Sequence, residues 1–152
     1  MEVFVKRENW DGGIWMKLPA SQEQAEQVLE ELAGYHPSRM IPFIGDVKAP
    51  VSGLAHLLIG EFVFQDSNLG QLNYLAAKIG SWTEQERAVF ETVLQNEKPD
   101  SLLRIVEAMD HLDQYECHPE IKSLEQYGHD LFEREGRTLP VELTGYFDYE
   151  AY

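Results

Sequence analysis

The sequence predicts an α+β protein, with a small antiparallel sheet near the start and helices through most of the rest. Three observations carry that prediction. Val3 and Val5 alternate with larger or charged neighbours, and Gly12-Gly13 turns the chain into a second short run, Ile14 to Leu18. Beyond residue 20, apolar side chains recur every three or four positions, the period of a half-buried helix. Three Ser/Thr-x-x-Glu/Gln spacings stand just ahead of those runs, where a helix N-terminus needs capping.

The elements follow in order. Glu2 to Lys6 is expected as an edge strand, with Ile14 to Leu18 as its hairpin partner. Ser21 with Gln24 opens a helix that buries Ala25, Val28, Leu29 and Leu32, and Gly34 ends it. Arg39 to Val47 reads as β, held to an edge or a bulge by Pro42. Val51 to Phe64 fits either a strand or a buried helix; a strand near Phe62-Val63-Phe64 is preferred. Asp66 or Ser67 begins a helix with Leu69, Leu72, Leu75, Ala76 and Ile79 inward, stopped by Gly80. Thr83 with Glu86 opens another over Val89, Phe90, Val93 and Leu94. Pro99 starts a third, with Leu102, Ile105, Val106 and Met109 inside. Residues 112–122 read as irregular or extended. Ser123 with Gln126 opens a helix whose apolar face is Leu124, Tyr127, Leu131 and Phe132, closed by Gly136. Thr138-Leu139-Pro140 starts a final turn. The aromatic tail from Tyr146 to Tyr152 is expected to dock, on its own chain or across a dimer. This gives a β-rich lobe with one helix over residues 1–65, a helical lobe over 66–111 and an α+β lobe over 112–152.

The charge is lopsided. The chain has 27 acidic and 12 basic residues, a net −15 at pH 7. Residues 100–152 hold 13 of the acids and 4 of the bases, so the last third carries more than half of the excess. Between Arg104 and Lys122 stand Glu107, Asp110, Asp113, Glu116 and Glu120, with no Lys or Arg among them. Such a surface argues against direct contact with nucleic acid or anionic membranes and favours a basic partner or a cation. The single cysteine, Cys117, excludes an intrachain disulfide and points to the cytoplasm. The N-terminal residues lack the apolar stretch of a signal peptide, and the run Leu54 to Ile59 is far too short to span a bilayer.

Three constellations could carry chemistry. On a helix, residues three or four apart lie about 5–6 Å apart at Cβ. Glu107, Asp110 and, if the helix runs on, Asp113 then form a row opposite Ile105 and Met109. Asp130 with Glu133, and Glu23 with Glu26 and Glu30, form shorter rows. Rows of this kind resemble the charge ladder of duplex DNA, which carries one negative charge per roughly 1.7 Å of axis; on composition alone they read first as a solvated acidic face. The second constellation is Asp110, His111, Asp113, Glu116, Cys117 and His118. All are metal-ligating types, but their spacing matches no zinc or EF-hand pattern. The third would pair Cys117 with His118, His129 or His56 as nucleophile and base, yet nothing in the sequence marks the thiol as activated.

At the C-terminus the sequence resembles the ArdA antirestriction family. Leu139-Pro140-x-x-Leu143-x-x-Tyr146-Phe147-Asp148-Tyr149-Glu150-Ala151-Tyr152 is similar to that family's closing pattern. Asp11-Gly12-Gly13-x-Trp15, Ile44-Gly45-Asp46 and Leu69-Gly70-Gln71-Leu72-Asn73-Tyr74 match it more loosely, in the right order. The resemblance implies an elongated α+β molecule of three small lobes, often dimeric and carried on a mobile genetic element. It implies a mimic of bent duplex DNA that blocks the DNA cleft of a Type I restriction–modification enzyme, with neither catalysis nor cofactor. Related domains could equally have come to inhibit another nucleic-acid enzyme, such as a CRISPR effector. Outside the resemblance, the charge alone also fits an acidic interaction module, and residues 110–118 a metal-dependent enzyme. On the mimic reading the contact surface is Glu84, Glu91, Asp100, Glu107, Asp110, Asp113, Glu116 and Glu120, with Asp130 and Glu133 secondary.

Overall fold

Val3 and Val5 are fully buried, and their strand is built to have neighbours on both sides. In the computed structural model, which describes residues 1–8, 11–35, 41–115, 121 and 123–151, β1 (Glu2–Lys6) pairs antiparallel with β2 (Gly13–Lys17) and with β3 (Phe43–Lys48). The sheet order is β2-β1-β3, so β1 is the central strand and not the edge expected for it. Alternation reports which face is buried; it carries no information on how many ladders flank a strand. Pro42 stands just before β3, which is an edge of the sheet. The β1–β3 register slips between Phe4 and Val5, with Gly45 taking up the extra residue. Arg39, at the start of the expected β run, lies outside the described residues.

The helix α1 (Gln22–Tyr35) begins as its cap spacing predicts. Ser21 Oγ accepts the Gln24 N–H, while Gln24 Oε1 accepts the Ser21 N–H. The helix continues through Gly34 instead of ending there. Val51 to Phe64 resolves as a short helix, α2 (Leu54–Leu58), and not as the preferred strand. Leu54 and Leu58, four apart, share its buried side. Strand pairing here is reduced to one bridge, Phe43 to Phe62.

Three helices follow. α3 (Asn68–Ser81) passes through Gly80 and buries Leu72, Leu75, Ala76 and Ile79. The Asn73 side chain donates to the Ala20 carbonyl and accepts from the Ala20 N–H, both at 2.8 Å. It thus clamps α3 to the loop between β2 and α1. α4 (Glu84–Glu97) starts on the expected Thr83–Glu86 capping box and buries Phe90, Val93 and Leu94, with Val89 half-buried. α5 (Leu102–Asp110) is capped by Ser101, whose hydroxyl accepts the Arg104 N–H; Pro99 stands outside the helix. A 3-10 turn, Leu112–Gln114, comes next. The sheet and α1–α5 close on one core that runs from Val3 to Met109.

The chain divides into two compact units, Met1–Tyr115 and Glu116–Tyr152. The second contains α6 (Leu124–Arg134), capped by Ser123, and a 3-10 turn, Val141–Tyr146. Among its described residues there is no strand; the strands of the α+β fold lie in the first unit. The aromatic tail docks on α6: Phe147 and Tyr149 pack on Phe132, and Tyr149 also on His129, with ring centroids 4.9–5.8 Å apart. Gly128 makes this possible, because a Cβ there would sit 1.8 Å from the Tyr149 carbonyl oxygen. Leu124 and Tyr127, expected on the buried face, are exposed, since the tail covers the side of α6 bearing Gly128 and Phe132. Among the described residues no helix is long and apolar enough to cross a membrane.

Candidate partner-binding surface

The acidic residues singled out in the sequence fall on three short stretches. Glu84 and Glu91 are seven residues apart on α4, almost two full turns, and so share a side of it. Asp100 is exposed between α4 and α5, Glu107 and Asp110 are on α5, and Asp113 is in the 3-10 turn. The helix does not run on to Asp113: His111 ends it, so the expected three-residue row is broken. Asp130 and Glu133 lie on α6, in the second unit. Glu116 and Glu120 lie outside the described residues, as do Cys117 and His118.

Four of the eight described carboxylates are held by a donor within hydrogen-bond distance. Glu91 accepts the Ser52 backbone N–H. Arg104 donates to Glu107 at 2.9 Å, and the Tyr74 hydroxyl donates to Asp110 at 2.7 Å. Asp130 pairs with Arg134 at 2.7 Å, and Glu133 lies 3.7 Å from His129 Nδ1. The hydrogen bond to Asp110 raises the Tyr74 phenol above its ordinary pKa, because ionising it would set two anions face to face.

Packing α4 against α5 gathers carboxylates into two depressions. A groove of about 450 Å³ has Glu86, Asp110 and Asp113 on its rim, with Lys78, Trp82, Val89, Met109, Leu112 and Tyr115 completing the lining. A cavity of about 470 Å³ has Glu97, Asp100 and Glu107, but also Lys98, Arg104 and His111. Its charge is largely compensated, whereas the groove sets three carboxylates against one lysine. Tyr115 walls both. Partial burial, with its hydrogen bond to Glu97, raises the Tyr115 phenol.

Sequence reasoning missed two of these acids as surface groups. Glu86 reads as a capping residue, and it is one: the Thr83 backbone N–H and hydroxyl both donate to its carboxylate and hold it below the usual carboxylate range. Its place on the groove depends on how α4 lies against α5, which no local pattern reports. Glu97 closes α4 and becomes visible only through Tyr115. Among the described residues, no three His, Cys, Asp or Glu side chains gather in a way that would hold a metal ion.

Fold and surface together define a class: a small acidic α+β protein whose distinguishing chemistry is a set of tethered surface carboxylates. The chain belongs to the ArdA family of antirestriction proteins, whose family model matches residues 11–152. Comparison with curated proteins and with solved structures returned no match.

Proposed function

We propose that this protein inhibits a Type I restriction–modification enzyme by placing carboxylates where the enzyme's DNA cleft receives phosphates. The contact surface comprises Glu84, Glu91, Asp100, Glu107, Asp110 and Asp113, together with Glu116 and Glu120, and a secondary set in Asp130 and Glu133. Family membership supports the antirestriction half of this reading.

The observation that carries the mimicry half is the tethering of Glu91, Glu107 and Asp110. A merely solubilising fringe gains nothing from fixed side chains, because ordering them costs rotamer entropy. A surface that must match fixed lysines and arginines does gain, since preordered groups lose less on binding. Net negative charge steers the encounter with a basic cleft. Each exposed pair contributes about 0–1 kcal/mol, so affinity is spread over many contacts. Inhibition is then competitive occupancy, with no bond made or broken. On this reading the protein acts in the cytoplasm as the product of a mobile element and needs no cofactor.

The test is competition. The purified protein should displace duplex DNA from a Type I enzyme, with log affinity falling linearly as log salt rises. Inhibition that leaves DNA bound, or that ignores salt, refutes the mimic and indicates an acidic module docking elsewhere.

A further inference from the structure

The groove of about 450 Å³ beside α5 differs from an acidic patch in what forms its floor. Met109 is buried there, and Val89, Leu112 and Trp82 are half-buried. Trp82 is braced edge-on against Phe90, with ring centroids 5.2 Å apart, so its position is fixed by the core. Tyr115 stands at the groove wall with about a third of its surface exposed. Glu86, Asp110 and Asp113 share the lining with these apolar and aromatic groups. Asp110 is aimed by the Tyr74 hydroxyl, and Glu86 by its own helix cap. Lys78 is the one base in the described lining, and its ammonium lies 5.7 Å from the Tyr74 ring centroid.

We infer that this groove accepts an arginine side chain of the protein's basic partner and prefers it to lysine. The inference rests on the partner being basic, as proposed above, and adds which cation the groove selects. A guanidinium is flat and weakly hydrated, stacks on aromatic rings, and pairs with carboxylates through a planar fork. Its methylene stem packs on apolar groups such as Met109, Val89 and Leu112. An ammonium is compact and strongly hydrated, and gives up more to enter a half-apolar slot. Carboxylates alone favour the guanidinium only through its fork; the rings of Trp82 and Tyr115 add a face on which it stacks.

The experiment uses the full chain with two peptides of equal charge, octa-arginine and octa-lysine, at one salt concentration. Calorimetry gives the affinities, and the Trp82 indole N–H resonance reports on the groove. The arginine peptide should bind about two- to five-fold more tightly, the range of one exposed cation–π contact, and should shift the Trp82 signal. Tyr115→Leu keeps apolar bulk without the ring, and should remove the preference. Val89→Lys sets a tethered ammonium in the groove and should also abolish it. Gln95→Lys adds the same charge at an exposed site on α4 and should not. Equal affinity of the wild-type chain for both peptides overturns the inference, as does a preference that survives both groove variants. DNA displacement from a Type I enzyme is scored separately. Displacement without an arginine preference refutes the groove and leaves mimicry standing; a preference without displacement does the reverse.

Discussion

Replacing Gly128 by alanine tests whether the aromatic tail is seated on α6 by shape. In an exposed helix interior, Gly→Ala stabilises by about 1 kcal/mol, because alanine loses less backbone entropy. Gly80, in α3, has nothing within 4 Å of where a Cβ would go, so Gly80→Ala should show that gain. At Gly128 the new methyl would lie 1.8 Å from the Tyr149 carbonyl oxygen and 2.8 Å from its carbonyl carbon. Ordinary contact begins near 3.4 Å, so the tail backbone must retreat by well over an ångström. Retreat breaks the ring contacts of Phe147 and Tyr149 with Phe132 and of Tyr149 with His129. Aromatic pairs contribute about 0.5–1.5 kcal/mol each beyond their buried area. Three such contacts outweigh the propensity gain, and a net local loss of about 0.5–3.5 kcal/mol follows. Hydrogen exchange along α6 and the near-ultraviolet signal of the tail aromatics measure it. If Gly128→Ala is as stabilising as Gly80→Ala, with the tail signals unchanged, the seating is wrong.

Three further outcomes are expected. Asn73→Ala removes both bonds to Ala20 and should cost about 1–3 kcal/mol in urea denaturation, at about 0.5–1.5 per hydrogen bond. Glu86 is held below the usual carboxylate range, chiefly by the Thr83 backbone N–H; its stabilisation is therefore present above the unfolded value and lost as pH falls through the folded one. Acid melting of α4 should accordingly show a smaller pH dependence in Glu86→Gln, which has no carboxylate to titrate there, followed by far-ultraviolet circular dichroism. In DNA competition, Asp113→Asn alone should shift inhibition by no more than about fivefold, while the triple change Glu107→Gln, Asp110→Asn and Asp113→Asn should weaken it by about tenfold or more, since exposed charges contribute about 0–1 kcal/mol each.

What the sequence made legible was local. Cap spacings at Ser21, Thr83 and Ser123 marked three helix starts because each cap is satisfied within three residues. Pro99 reads as the start of α5, but Ser101 caps it, because its hydroxyl satisfies an orphan N–H of the first turn. The errors lie where partners are remote. The second ladder of β1 is supplied by residues 43–48, and the covering of α6 by residues 147–149. At the candidate surface the acids were visible as charges, but not their tethers: Tyr74 reaches Asp110 across 36 residues and Ser52 reaches Glu91 across 39. A one-dimensional charge pattern likewise hides the fact that Glu107 and Asp110, three residues apart, line different depressions.

The central place of β1 sets a sequence of events during synthesis. Its five residues emerge from the ribosome before β3, and Glu2 cannot meet Lys48 until the whole of α1 has followed. Until then a nascent hairpin of β1 and β2 carries an unzipped margin along its middle-strand-to-be, the kind of exposed edge that recruits foreign strands. Engineering near Met1 therefore touches the sheet's shared rail: a deletion through Lys6 would leave β2 and β3 with no common neighbour to join them.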